Sequence, residues 1–282
     1  MKVIYSCFVL IFASYGWTAP SAEQLLPGMV QNYLTRNEVS FGDTRVSEEE
    51  AEWLQDAFVK ALEPRLGKHA GYKVGLVTRE AQQRFGTDQP VRGQLLEKML
   101  LPNNAKVPVN YGVRPVCEAD LIVVVKDSGI NKAKTGLDVL EHLKEVVAFA
   151  ELADSFLATN PPPDARKLTA ANVGARLGVL GERVRLKSNV ETFHGLEAME
   201  VIIRDQTGAE LGRSRGANIL SHPLNAVLWL VEDLARDGKK LKAGDLLSLG
   251  SMGVFPAKAG ETITVEYRGL PGGSMKVSVQ FR

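Results

Sequence analysis

The stretch RPVCEADLIVVVKD, Arg114–Asp127, decides how this chain is read. Its second half, Leu121 to Val125, is an unbroken apolar run of the kind found in strands buried on both faces. Immediately before it stand two carboxylates, Glu118 and Asp120. Side chains in a strand alternate faces, so residues two apart project together. Two like charges that close repel, and each raises the other's pKa. A divalent cation removes that penalty, because Mg²⁺ and Mn²⁺ prefer hard oxygen donors. The pair alone also fits the solvent-facing side of an edge strand. A third acid, Glu151, sits in another apolar segment, AFAELAD. The intervening GLDVLEHLKEVV reads as a helix, with Glu141 and Glu145 on its solvated face, long enough to return the chain to the same sheet.

Outward from this strand, the front of the chain is helical and the rest is rich in β-structure. SEEEAEWLQDAFVKALEPRLG has Ser47 and Glu50 in capping-box spacing, then apolar residues at helical intervals, and ends at Pro64 and Gly67. Before it, AEQLLPGMVQNYLTR predicts a weaker helix interrupted at Pro27–Gly28. YKVGLV, RLGVLG, LEAMEVIIRD, DLLSLG, ETITVEYRG and SMKVSVQF read as strands divided by glycine turns. NPPPD, Asn160–Asp164, is an exposed turn. SHPLNAVLWLVEDLARDGKK is one clear helix, with Ser221 as N-cap, Pro223 in the first turn and Gly238 at its stop. The class is α+β: a helical section over 23–70 packed on a mixed-β body over 71–282.

The composition, 45% hydrophobic and 24% charged, is that of a globular protein. Met1–Lys2, an uncharged apolar run over Val3–Trp17, and the small residues that follow have the order of a secretory signal peptide over 1–22. The run is short for a membrane span. The expected location is therefore outside the cytoplasm, in the periplasm, with an uncleaved anchor as the alternative. Lys+Arg number 34 and Asp+Glu 33, and Lys2 is the only charge in the leader, so the remainder is balanced. That balance argues against nucleic-acid or anionic-membrane binding. Of the two cysteines only Cys117 lies beyond the leader, so the fold rests on packing rather than on an internal disulfide.

Six segments carry a resemblance in order: GYKVGLV, FGTDQPVRGQLL, CEADLIVVV, FAELADSF, SHPLNAVLWL and AGDLLSLGSMGVFPAKAGETITVEYRG. The chain resembles the 2-oxopent-4-enoate hydratase and 4-oxalocrotonate decarboxylase group of the fumarylacetoacetate hydrolase superfamily, from about Gly71 to Phe281. The resemblance implies a fumarylacetoacetase-like β-roll with an N-terminal helical part. It implies Mg²⁺ or Mn²⁺ held by Glu118, Asp120 and Glu151, with Asp in the second place where Glu is usual. Lys73 and Asp88 would be the catalytic helpers. Asn172, His222, Asn225 and Ser251 are the candidate contacts to a small 2-oxo acid, and self-association is expected. A hard cation that chelates a 2-oxo acid polarises it as a Lewis acid, and a nearby Lys⁺ stabilises the enolate charge or passes a proton. That chemistry serves hydration, decarboxylation or C–C hydrolysis alike.

The residues also admit plainer readings. A lone Lys is often a surface residue, Asp88 fits a turn, His222 and Asn225 fit a helix cap, and Gly250, Ser251 and Gly253 fit a turn between strands. His194 has no evident partner. One departure bears on function: in TAANVGARLGVLG, Ala171 and Gly174 stand where the group has an acidic and a hydroxyl residue, while Asn172 remains. With the export signal, this keeps open a non-catalytic binder of 2-oxo acids.

Overall fold

The computed structural model describes residues 21–282. The expected leader lies outside the described residues except for its last two positions. Among the described residues, no helix is long and apolar enough to cross a membrane.

Two helices open the described chain, α1 (Ala22–Thr35) and α2 (Glu48–Leu66). The capping box at α2 forms as expected: the Glu50 N–H donates to the Ser47 hydroxyl at 3.1 Å, and the Ser47 N–H donates to the Glu50 carboxylate at 2.8 Å. The expected break in α1 does not occur. Proline lacks one N–H and so frees a single carbonyl one turn back, that of Glu23. Glu23, Pro27 and Gly28 are all exposed, so water can satisfy that carbonyl.

The body follows as β1 (His69–Gly75), α3 (Arg79–Arg84), β2 (Val91–Leu96), β3 (Leu100–Pro102), β4 (Ala105–Val107), β5 (Pro115–Val125), α4 (Gly136–Glu141) and β6 (Leu143–Asp154). Then come α5 (Ala165–Ala170), β7 (Leu177–Arg185), α6 (Val190–Ala198), β8 (Glu200–Arg204), β9 (Glu210–Arg215) and α7 (Pro223–Arg236). The chain ends with β10 (Leu246–Ser248), β11 (Val254–Phe255), β12 (Thr262–Arg268) and β13 (Met275–Phe281). One sheet runs β2-β1-β10-β5-β6-β7-β3, with β11 paired to the start of β5, and the other runs β4-β13-β12-β8-β9. The two pack face to face. At Gly181 on β7 a Cβ would come within 2.4 Å of the Lys276 carbonyl on β13, so only glycine allows that approach.

Alternation along β5 explains the opening stretch. Cys117, Ala119, Leu121, Val123 and Val125 enter the main core between the sheets. Ile122 and Val124 point the other way, into a small apolar cluster with Val147 and Phe149 of β6. Glu118 and Asp120 share that second face but lie at its opposite end. One face of one strand is therefore apolar at one end and acidic at the other. The helical front packs elsewhere: Met29, Tyr33, Leu54, Phe58 and Leu62 close on Phe156 and Leu157, just past β6, and on Ala171 at the end of α5. Tyr33 meets Phe58 and Phe156 edge-on at centroid distances of 5.4 and 5.5 Å.

Two sequence expectations need correction. The helix expected over Gly136–Val147 ends at Glu141, and β6 begins at Leu143. Val146 and Val147 are β-branched and pair with Val123 and Ile122, so ladder and packing override the helical spacing. Glu145 is thus a strand residue, ion-paired to Arg183 at 2.6 Å. Conversely, Leu196–Ala198 belongs to α6, and the strand expected there starts only at Glu200.

Candidate metal centre and active-site cleft

Register turns the alternation into a site. Glu118 on β5 lies directly opposite Glu151 on β6. Asp120 projects from the same face two residues on. β10 sets Ser248 beside Ile122, and β1 sets Lys73 beside Ser248. Four strands thus deliver three carboxylates, a hydroxyl and an ammonium to one end of one sheet face. The β1–β10 contact depends on Gly71, whose φ is +152° and where a Cβ would stand 1.9 Å from the Leu246 carbonyl oxygen.

Each polar group is held. Lys73 is 3% exposed. Its ammonium donates to the Glu151 carboxylate and, at 3.1 Å, to the Val173 carbonyl. Asp120 is fully buried. It accepts from the Ser248 hydroxyl, from the Gly250 N–H at 2.9 Å and from the Leu121 N–H at 2.5 Å. Beneath it, Tyr267 reaches across from β12 and donates to the carbonyls of Asp120 and, at 3.0 Å, Phe149, tying β5 to β6.

The electrostatics follow from burial and crowding. Burial and the charge of Glu151 push the Glu118 pKa well above the carboxylate range, against the pull of Lys73 and the Ser251 hydroxyl. Burial and Glu151 likewise raise Asp120, against its hydrogen bonds from Ser248, Leu121 and Gly250. For Lys73, burial opposes the charge, but Glu151, Glu118 and Asp120 outweigh it and hold the ammonium above its usual range.

Three carboxylates face one ammonium, so a divalent cation would balance the two remaining negative charges. All the donors are hard oxygens, which suits Mg²⁺ or Mn²⁺. The residue types therefore fit such an ion. Their side chains are not drawn onto one point, however: among the described residues, no group of three or more His, Cys, Asp or Glu forms a ready-made metal cage. Lys73 holds Glu151, while Ser248 and Gly250 hold Asp120. Lys73 engages one Glu151 oxygen, which leaves the other as a donor for an ion.

Above them opens a cleft of about 720 Å³. Lys73, Glu118, Glu151 and Ser251 line its polar end, and Val74, Val77, Phe85, Leu168, Val173 and Met252 are among its apolar walls. The expected Lys73, Glu118, Glu151 and Ser251 are thus brought together, with Asp120 just beneath.

Four other expected site residues lie elsewhere. Asp88 is exposed and lines a separate cavity with Arg92, Asp164 and Asp233. The segment reaches the cleft through Glu80, Ala81, Arg84 and Phe85 instead, and the turn after α3 carries Asp88 away. Asn172 is buried with both ends of its amide engaged by backbone: Oδ1 accepts from the Gln94 N–H at 2.7 Å, and Nδ2 donates to the Gln94 carbonyl at 2.9 Å. His222, not Ser221, caps α7. Its Nδ1 accepts from the Leu224 N–H at 3.0 Å, and its ring stacks on Phe193 at 4.1 Å. Asn225 is exposed and donates to the Leu220 carbonyl at 2.8 Å. Sequence reasoning passed over Ser248 and the Val173 carbonyl. Ser248 carried a signal, as the one polar residue among the leucines of DLLSLG; a backbone carbonyl carries none.

The chain matches no family model. Over 203 residues it is 31% identical to the 2-keto-4-pentenoate hydratase of Burkholderia vietnamiensis, spanning 71% of this chain and 74% of that protein. The chain belongs to the 2-keto-4-pentenoate hydratase family. Its fold is that of the fumarylacetoacetate hydrolase superfamily. It superposes on 4-oxalocrotonate decarboxylase from Pseudomonas putida G7, solved with magnesium and adipate, with a TM-score of 0.78 and 24% identity over 93% of this chain and 97% of that one. It also superposes on a fumarylacetoacetate hydrolase family protein of Yersinia pestis, with a TM-score of 0.53 and 14% identity over 77% and 95% of the two chains.

Proposed function

We propose that this family member is a metal-dependent lyase of the hydratase type, acting on a small 2-hydroxydienoate or its 2-oxo tautomer. One example is the conversion of 2-oxopent-4-enoate to 4-hydroxy-2-oxopentanoate. The observation that carries this reading is the register pair Glu118–Glu151, with Asp120 on the same face and Lys73 ion-paired to Glu151 where both acids line the cleft. Membership of the hydratase family supports it, as does the magnesium in the decarboxylase that shares the fold.

Glu118, Asp120 and Glu151 would hold Mg²⁺ or Mn²⁺. Such an ion, when bound, supplies Lewis-acid polarisation of a chelated 2-oxo acid. The protein's own groups do the rest. Glu151, on releasing Lys73, frees an ammonium at the floor of the cleft. That ammonium stabilises negative charge developing on the substrate and can hand over a proton at Nζ. The Ser251 hydroxyl stands with Glu118 at the polar end of the cleft. Val74, Val77, Phe85 and Met252 limit the water that reaches the polar end.

Decarboxylation or C–C hydrolysis would use the same groups, so the products decide between them. The specific observation favouring a non-catalytic, exported binder is that Ala171 and Gly174 contribute no polar side chain to the walls beside the cleft. The experiment is to incubate the chain with Mg²⁺ or Mn²⁺ and 2-hydroxypenta-2,4-dienoate, following loss of its ultraviolet absorbance and identifying products by NMR. Formation of 4-hydroxy-2-oxopentanoate supports the proposal. Metal-dependent binding without turnover leaves the binder, and neither binding nor turnover refutes both.

A further inference from the structure

A second chamber adjoins the cleft and has no part in the chemistry described so far. It measures about 260 Å³ and lies under the Asn160–Asp164 turn. Its walls include Phe156, Leu157, Pro162, Pro163, Leu168 and Ala171. Arg84, Phe85, Asp154, Ser155, Leu168 and Gly174 line both spaces, so the two adjoin along that side. Ala171 and Gly174 lie in its wall and put no long side chain into it. Ala171 is 1% exposed and presents only a methyl group. Gly174 has φ +65°, and a Cβ on it would stand 2.9 Å from the Asp154 carbonyl oxygen, so no side chain fits at the junction.

The walls also say what the chamber can take. Asp154 reaches its margin, but its carboxylate is already engaged: it lies 2.7 Å from Nε of Arg176 and accepts from the N–H groups of Val113 and Arg114 at 2.8 and 2.9 Å. Arg84 contributes a cation, but from an exposed position at the rim. Ser155 and Thr159 add two uncharged hydroxyls, and the remainder is aromatic, aliphatic and proline surface. A pocket sized for a whole drug-like ligand spans about 300–1,000 Å³. The cleft alone lies within that range, and a five-carbon acid held at its polar end leaves the chamber unused.

We infer that the cleft and the chamber together form one substrate site, in which the chamber receives an apolar substituent on the end of the acid remote from its carboxylate. This rests on the 2-oxo acid reading of the cleft and names the substrate class more narrowly: 2-oxo or 2-hydroxydienoic acids with an alkyl or aryl tail. Ala171 and Gly174 set that specificity.

The test is calorimetric binding to the full chain in saturating Mg²⁺, with pyruvate, 2-oxobutanoate, 2-oxohexanoate, 2-oxooctanoate and 2-oxoadipate as probes. Affinity is expected to rise about fourfold per methylene along the unbranched series. 2-Oxohexanoate should bind more tightly than 2-oxoadipate, which has the same carbon count but a charged end. Ala171→Leu should cut the affinity for 2-oxooctanoate at least tenfold and leave pyruvate unchanged. If that variant does not fold, the wild-type series still decides. Pyruvate binding with no gain along the series overturns the inference and leaves the proposed function standing. Tighter binding of 2-oxoadipate overturns it in favour of an anionic tail at Arg84. Binding of none of the acids, pyruvate included, overturns both.

Discussion

Lys73 and Glu151, separated by 78 positions in sequence, form a buried ion pair at the floor of the cleft, each side chain 4% exposed. The pair is one ammonium set against three acids. The lysine therefore holds part of the charge that a divalent cation would otherwise balance.

Replacing it tests that substitution directly. Removing one partner of a buried pair leaves an uncompensated charge and costs about 3–5 kcal/mol. Lys73→Met should lower the urea midpoint accordingly in the absence of divalent ions. Mg²⁺ should then stabilise the variant more than it stabilises the wild type. Turnover should fall by about a hundredfold or more, the usual cost of losing a positioned acid or base. Equal Mg²⁺ stabilisation of both proteins would argue against a shared charge site.

Ser248→Ala probes the support under Asp120. The serine is fully buried and its hydroxyl donates to the Asp120 carboxylate. Leaving a buried acceptor short of a donor costs about 1–3 kcal/mol. The hydroxyl also favours the ionised acid, so its loss should weaken Mg²⁺ affinity, measured by calorimetry, as well as thermal stability. A loss of stability with unchanged Mg²⁺ affinity would remove Asp120 from the ion's ligands.

Gly71→Ala should fail for a backbone reason. A methyl group there meets the Leu246 carbonyl at 1.9 Å, and φ is positive. Strained backbone costs about 1–3 kcal/mol and overpacking a similar amount. Denaturant unfolding should show a loss of at least about 2 kcal/mol. Any protein that still folds should lose activity, because β1 carries Lys73.

The residues found outside the cleft should behave as structure. Asp88→Asn and Asn225→Ala should each leave turnover within about twofold, surface changes of this kind being nearly neutral. His222 predicts a pH effect. Burial lowers its pKa, with the Phe193 carbonyl and Glu197 opposing and His194 of α6 adding to the lowering. An imidazole whose folded pKa is depressed binds its proton more readily when the chain is unfolded. Its stabilising share is present above the unfolded value of about 6.5 and is lost as pH falls toward the folded one. Glu118 and Asp120, whose pKa values are raised by folding, act with the opposite sign in both proteins, so the His222 share is read as a difference: the wild-type midpoint minus that of His222→Asn, which keeps a capping oxygen, should shrink between pH 7 and 5. A difference that stays constant over that range would place the titrating group elsewhere.

Much of the site was legible because strand alternation is strict. Glu118-x-Asp120 had to share a face, and an apolar return strand had to bring Glu151 near; the ladder sets it directly opposite. The resemblance supplied Lys73, which a lone lysine in a strand could not. What failed has a common cause: residue types that bind ligands also cap helices and clamp loops. Asn172, His222 and Asn225 spend their polar atoms on neighbouring backbone, and nothing in their spacing distinguishes that use. The misjudged helix after Gly136 failed for another reason. Its apolar positions fit either period, and only pairing with β5 decided for a strand.

Glu118, Asp120 and Glu151 are proposed to hold one hard divalent cation together. Titrating Mg²⁺ into the full chain by calorimetry, with and without saturating oxalate, tests it most directly beside Glu118→Gln and Glu151→Gln. The expected result is a single site in the wild type, tightened by oxalate, and at least about tenfold weaker binding in each folded variant. Equal Mg²⁺ affinity in the wild type and both variants, or no binding to the wild type at all, would contradict it.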